Sequence, residues 1–123
     1  MVRLTVSLTV LASDVQGMLT ALRYLIGSTR LETGCLNCSA WADANAILHY
    51  EEEWATEEDI RRHVRSASFT SLLAVLELAR EPPLVRFEFV KTTRGLDYVA
   101  EVRQETLRGD SEAGVSDARP RSR

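Results

Sequence analysis

An α+β domain with the element order β-α-β-β-α-β is predicted by three features of the sequence. These are a strictly alternating apolar run at the start, two amphipathic stretches at helical spacing, and a hairpin-like pair of extended runs between them. Leu4, Val6, Leu8 and Val10 alternate with Thr5, Ser7 and Thr9, the period of two of a half-buried strand. The alternation also breaks the continuous apolar stretch that a secretory signal needs, so the basic start is assigned to a first strand. Ser13 with Gln16 makes a capping-box pattern ahead of Val15, Met18, Leu19, Leu22, Leu25 and Ile26, which predicts a helix ending between Gly27 and Thr29. CLNCSAWA and AILHYEEEW read as the second and third strands, joined by the turn-forming Asp43-Ala44-Asn45. Thr56 followed by Glu57, Glu58 and Asp59 places a capping hydroxyl and favourable charge at the start of a second helix. That helix reads in two pieces, Ile60, His63, Val64 and Ala67, then Phe69, Leu72, Leu73, Leu76 and Ala79, with Ser66 and Ser68 at a bend. Pro82 and Pro83 stop it, and LVRFEFV forms a fourth strand with Val85, Phe87 and Phe89 on one face. The order is that of the ferredoxin-like, split β-α-β arrangement, a four-stranded antiparallel sheet with two helices on one face.

The chain has 123 residues, 45% apolar and 27% charged, which fits one core. Residues 1–103 are assigned to the domain. From Gln104 to residue 123 large apolar side chains almost vanish, and a disordered tail is expected. Lys plus Arg total 15 against 18 acidic residues, so a net charge of -3 argues against a nucleic-acid partner. No apolar run is long enough to span a membrane. Two cysteines build no disulfide scaffold, and a cytoplasmic protein is expected. The apolar row from Val2 to Val10 faces either the helices or a second copy of the chain. With the row Val85, Phe87 and Phe89 it offers more apolar sheet than two helices cover, so a homodimer is expected.

Cys35 and Cys38 spell C-x-x-C, but a separation of three along a strand sets the side chains on opposite faces, and they read as small buried thiols. The two histidines lack zinc-ligand spacing, so no metal is expected; His49 reads as a strand residue near a turn. His63 lies in the apolar stripe of Ile60, Val64 and Ala67, where a titratable ring is either a hydrogen-bonded core residue or faces a cavity. The run Glu51, Glu52, Glu53, Glu57, Glu58 and Asp59 reads as solvated charge and helix capping. Trp41, Tyr50, Trp54, Phe69 and Phe87 are either core or the lining of an aromatic-ligand pocket.

Thr33-Gly34-Cys35-Leu36, then YEEEWATEEDIRRHVRSASFTSLL, then PPLVRFEFV, together resemble the antibiotic biosynthesis monooxygenase domain, the family that includes bacterial quinol monooxygenases. The resemblance spans roughly residues 3 to 99, and its most specific part is the frame Trp54, His63, Phe69. It implies a ferredoxin-like domain that dimerises through its sheets into an α/β barrel, with a pocket between sheet and helices. It also implies oxidation of a small electron-rich aromatic, a quinol or polyphenol, by O2 with no metal, flavin or haem cofactor. On this reading His63 is the base or hydrogen-bonding group, Trp54 and Phe69 form the pocket wall, Tyr50 adds to it, and Thr5 and Ser7 supply polar contacts from the first strand. A haem-degrading branch fits less well, because Leu73 stands where that branch carries its histidine. The alternatives are a non-catalytic dimeric ligand-binding module and a small-molecule isomerase on the same fold.

Overall fold

The computed structural model describes residues 1–91 and 94–111. They divide into two units, with the boundary between Val90 and Lys91 rather than after residue 103. In the first unit β1 (Val2–Thr9), α1 (Val15–Thr29), β2 (Cys35–Ala42), β3 (Ile47–Trp54), α2 (Glu57–Val64), α3 (Ala67–Leu76) and β4 (Leu84–Phe89) follow the expected order. The strands form one antiparallel sheet in the order β2-β3-β1-β4. The second helix is two helices, broken where Ser66 turns back to cap α3 by accepting from the Phe69 amide.

Strand parity sorts the sheet's two faces. Val2, Leu4, Val6, Leu8 and Val10 are all buried, in one cluster with Met18, Leu19, Leu22 and Ile26 of α1, Ile60 of α2 and Leu72 and Leu76 of α3. The row that offered a reason to dimerise is therefore covered by the chain's own helices. On β4, Val85, Phe87 and Phe89 pair with Val6, Leu4 and Val2 and share that face, yet they stay 39–57% exposed at the sheet edge. The opposite face is polar. Arg3 at its centre reaches Glu53 (3.0 Å), Glu51 (3.5 Å) and Glu88 (3.6 Å) across three strands.

Two local expectations fail. Ser13 makes no capping bond: a 3-10 turn over Ala12–Asp14 leads into α1 with Asp14 at the N-cap position and no side-chain cap. The C-x-x-C pair lies on one face rather than two, because an irregularity between Cys35 and Asn37 shifts the register. Cys35 then sits opposite Trp54, and Cys38 opposite Glu52, both towards the helices.

The second unit contains α4 (Leu96–Ser111), an element the sequence reading did not assign. Its start is tied by Arg94, which bonds Asp97 and Glu101 and lies 5.2 Å from the Tyr98 ring, and by the Gly95 amide on Asp97 Oδ1. Helix therefore continues through Gln104–Ser111, where disorder was expected; residues 112–123 lie outside the described residues. Among the described residues no helix is long and apolar enough to cross a membrane.

Between α1 and β2, Gly34 adopts a positive φ of 87°, and a Cβ there would meet Asp59 Cγ at 2.2 Å. Its carbonyl also accepts from the Ala55 amide at 2.8 Å. Gly34→Ala should cost about 1–3 kcal/mol in urea denaturation, from backbone strain and displacement of the first turn of α2. A variant as stable as wild type would show that the loop can re-form without the left-handed residue.

Candidate functional site

β3 alternates Leu48, Tyr50, Glu52 and Trp54 on the helix side with His49, Glu51 and Glu53 on the outer side. Glu52, opposite Leu4 on β1, is therefore fully buried, not part of a solvated acidic run. Three donors converge on it. Trp54 Nε1 donates to Oε1 at 2.9 Å, while the Tyr50 hydroxyl and His63 Nε2 (3.0 Å) donate to Oε2. Cys38 Sγ donates in turn to Tyr50 Oη at 3.3 Å.

His63 projects from α2 into this cluster and is 1% exposed. Its ring stacks on Trp54 at 4.6 Å and meets the Phe69 edge at 5.5 Å. Nδ1 lies 2.8 Å from Oε1 of Glu32, which comes from the loop between α1 and β2. With a carboxylate at each nitrogen the surroundings favour the imidazolium, the form that can donate at both. Burial opposes that charge, but the hydrogen bond and charge of Glu52, then those of Glu32, outweigh it and raise the pKa above the ordinary histidine value. Burial and the Glu52 charge push the Tyr50 hydroxyl upward, keeping it a neutral donor. Burial pushes the Cys38 thiol to about 12, which rules it out as a thiolate nucleophile near neutral pH. Within the described residues, every buried side-chain polar atom has a partner.

The structure thus brings together His63, Trp54, Tyr50 and Phe69. It separates Thr5 and Ser7, which pair with Glu51 and His49 on the outer face of the sheet, away from the imidazole. Trp41 is also on that face, stacked on His49 at 5.3 Å, and His49 Nε2 holds Asp43 of the hairpin turn at 2.9 Å. Phe87 lines a different concavity, a groove of some 330 Å³ between α2 and β4 shared by Ile60, Val64, Phe89, Glu57, Arg61 and Arg65. Sequence reasoning missed Glu52 and Glu32. For Glu52 a signal was present, since it shares the parity of Leu48, Tyr50 and Trp54; Glu32 lies in a loop without periodicity.

A raised folded pKa has a defined consequence for stability. The stabilisation from charged His63 is fully present below the unfolded value of 6.5 and is lost as pH rises through the higher folded value. The melting temperature of wild type should therefore fall as pH rises above about 6.5. His63→Gln, which lacks the titrating group, should be flatter over that window. Parallel profiles in a thermal-shift pH series would mean that His63 carries no raised pKa.

No family model matches the sequence, and no curated protein matches it. Solved structures do share its fold. A conserved protein from Methanosarcina mazei Go1 superimposes with a TM-score of 0.66 at 24% identity, over 73% of this chain and 92% of that one. An antibiotic biosynthesis monooxygenase gives 0.64 at 19% identity, over 75% and 100%. A Deinococcus radiodurans protein described as a candidate antibiotic biosynthesis monooxygenase gives 0.68 at 17% identity, over 77% and 97%. What is shared at these identities is architecture: this chain has the fold seen in antibiotic biosynthesis monooxygenase structures.

Proposed function

We propose that the protein is a cytoplasmic, cofactor-independent monooxygenase that oxidises a small electron-rich phenol or quinol with O2, and that it belongs to the antibiotic biosynthesis monooxygenase family. The observation that carries this reading is the buried Glu52–His63 pair, an imidazolium held by a carboxylate that is itself held by Tyr50 and Trp54. The shared fold supports it. In the proposed reaction the substrate's hydroxyl gives its proton to solvent on binding, a proton the peroxide later takes back, and charged His63 fixes the resulting ring-oxygen anion, the form that gives an electron to O2 most readily. The resulting radical pair combines at a ring carbon. The peroxide then loses water to leave a quinone, so that one oxygen atom enters the ring, the other leaves as water, and the substrate supplies all four electrons. The protein's part is to hold the ring, stabilise the anion and exclude solvent. The second reading, a non-catalytic ligand-binding module, is favoured by the groove between α2 and β4, whose Phe87, Phe89, Ile60 and Val64 suit an apolar ligand.

Oxygen uptake with a panel of hydroquinones and polyphenols separates the two. Turnover should survive exhaustive chelation, and His63→Ala should lower it by about 100-fold or more, the usual span for loss of a group that stabilises a developing anion. Saturable binding without oxygen uptake would favour the binding module, and an undiminished His63→Ala enzyme would return His63 to a structural role.

We further propose a homodimer, with the half-exposed row Val85, Phe87 and Phe89 as its apolar contribution. Sedimentation at micromolar concentration should give about twice 13.8 kDa. A monomer across the accessible range would remove the barrel.

A further inference from the structure

We propose that Glu32 is a displaceable plug: its carboxylate fills, from within the chain, the position on His63 Nδ1 where the site takes an oxyanion carried on an aromatic ring, a phenolate or an arylcarboxylate. This rests on the reading of His63 as the functional centre and goes beyond it by assigning the binding position and the charge of the ligand.

The two carboxylates on His63 are not equivalent. Glu52 is on a central strand, has no exposed surface and accepts from three groups. Glu32 is on the loop leading into β2, its side chain is 27% exposed, and among the described residues His63 is the one group its carboxylate bonds. The loop backbone around it is secured independently. Arg30 Nε donates to the Cys38 carbonyl at 3.0 Å, the Cys35 amide to the Glu32 carbonyl at 3.2 Å, and the Ala55 amide to the Gly34 carbonyl at 2.8 Å. Rotation about the Glu32 side-chain torsions alone can therefore free Nδ1 while the loop keeps its course.

What then faces the opening is an N–H of an imidazolium whose other side remains fixed to Glu52. A neutral ligand would leave that buried cation with one carboxylate in place of two, whereas an anion restores the original balance. A charge-assisted bond to an oxyanion is also the strong kind. The imidazole is walled by aromatic rings: the Trp54 ring stacks on it with centroids 4.6 Å apart and the Phe69 ring meets it edge-on at 5.5 Å, while Leu31, beside Glu32 in the loop, is 87% exposed. A flat aromatic body bearing the oxyanion suits those walls better than a small hydrated ion.

Benzoate tests this without chemistry, because it presents the oxyanion and the ring and is not a substrate for the proposed oxidation. The His63 ring nitrogens of labelled protein are followed by NMR as benzoate is added to wild type, Glu32→Ala and Glu32→Gln. Glu32→Ala should bind benzoate saturably and about tenfold or more tighter than wild type, since the tethered competitor is gone. Benzoate should also return the shifted Nδ1 signal, and the lowered His63 pKa, towards the wild-type values. Glu32→Gln keeps the side chain's shape without its charge, so it should bind with intermediate affinity and serves where the alanine variant does not fold. His63 signals unmoved by benzoate in a folded variant overturn the proposal, because a purely structural Glu32 would lose stability with no rescue. Oxygen is not read in this experiment. Benzoate binding in a protein that oxidises no phenol would sink the monooxygenase and leave the plug, and turnover without benzoate binding would do the reverse.

Discussion

The burial of the Glu52 carboxylate constrains the rest of the first unit more than any other single interaction. A charge withdrawn from water and left without a partner costs about 3–5 kcal/mol, a large share of a small domain's stability. Two of its three donors, Tyr50 and Trp54, are two residues away on either side, so the strand supplies them as soon as it is extended. The third, His63, must come from α2, which fixes how that helix lies on β3. Register follows from the same requirement. A slip of one residue would turn Glu51 and Glu53 into the core, take Arg3's partners from the outer face, and leave the imidazole without its inner carboxylate.

The apolar framework makes this cluster affordable rather than competing with it. Leu4, Val6, Leu8 and Leu48 surround the polar groups with side chains from β1 and β3, and α1 and α3 close over them. Water that would otherwise solvate Glu52 and loosen its bonds is excluded, which strengthens each of those bonds electrostatically. The outer face follows the opposite rule. There the Arg3 network lies partly in solvent, where exposed ion pairs add little, and its main effect is to keep that face polar.

Much of the scaffold was legible because period and punctuation agreed. The alternation in β1, the threonine cap of α2, with Thr56 Oγ1 accepting from the Asp59 amide at 3.1 Å, and the proline pair directly before β4 each say where an element begins or faces, although α3 ends at Leu76, short of those prolines. His63 stood out for a physical reason, a titratable ring on an apolar stripe. Its partners were less visible. Glu52 looked like one member of an acidic run, and only its parity with Tyr50 and Trp54 distinguished it from Glu51 and Glu53. Glu32 could not be found by spacing, because its contact with His63 joins positions 31 apart through a loop. Strict alternation puts the cysteines on opposite faces, and one extra residue in β2 reverses that result. α4 carries no comparable signal: its apolar residues are sparse among charges, and from Gln104 onward that pattern reads as tail.

Stability alone gives a weak account of why the core holds an ion pair at all. Well-packed apolar residues in place of Glu52 and His63 would keep the contact between β3 and α2 without the cost of desolvating two charges, and such replacements are commonly neutral or stabilising. What apolar residues could not provide is a cation fixed in orientation, screened from water, and joined to the surface through one exchangeable carboxylate. Glu52 and its donors supply the fixed side of that arrangement, and the loop carrying Glu32 supplies the exchangeable side. The difference in burial between the two carboxylates follows from where the fold puts them, one on a central strand and one in a loop. It is this difference that turns a buried ion pair into a position where a ligand's negative charge can replace the protein's own.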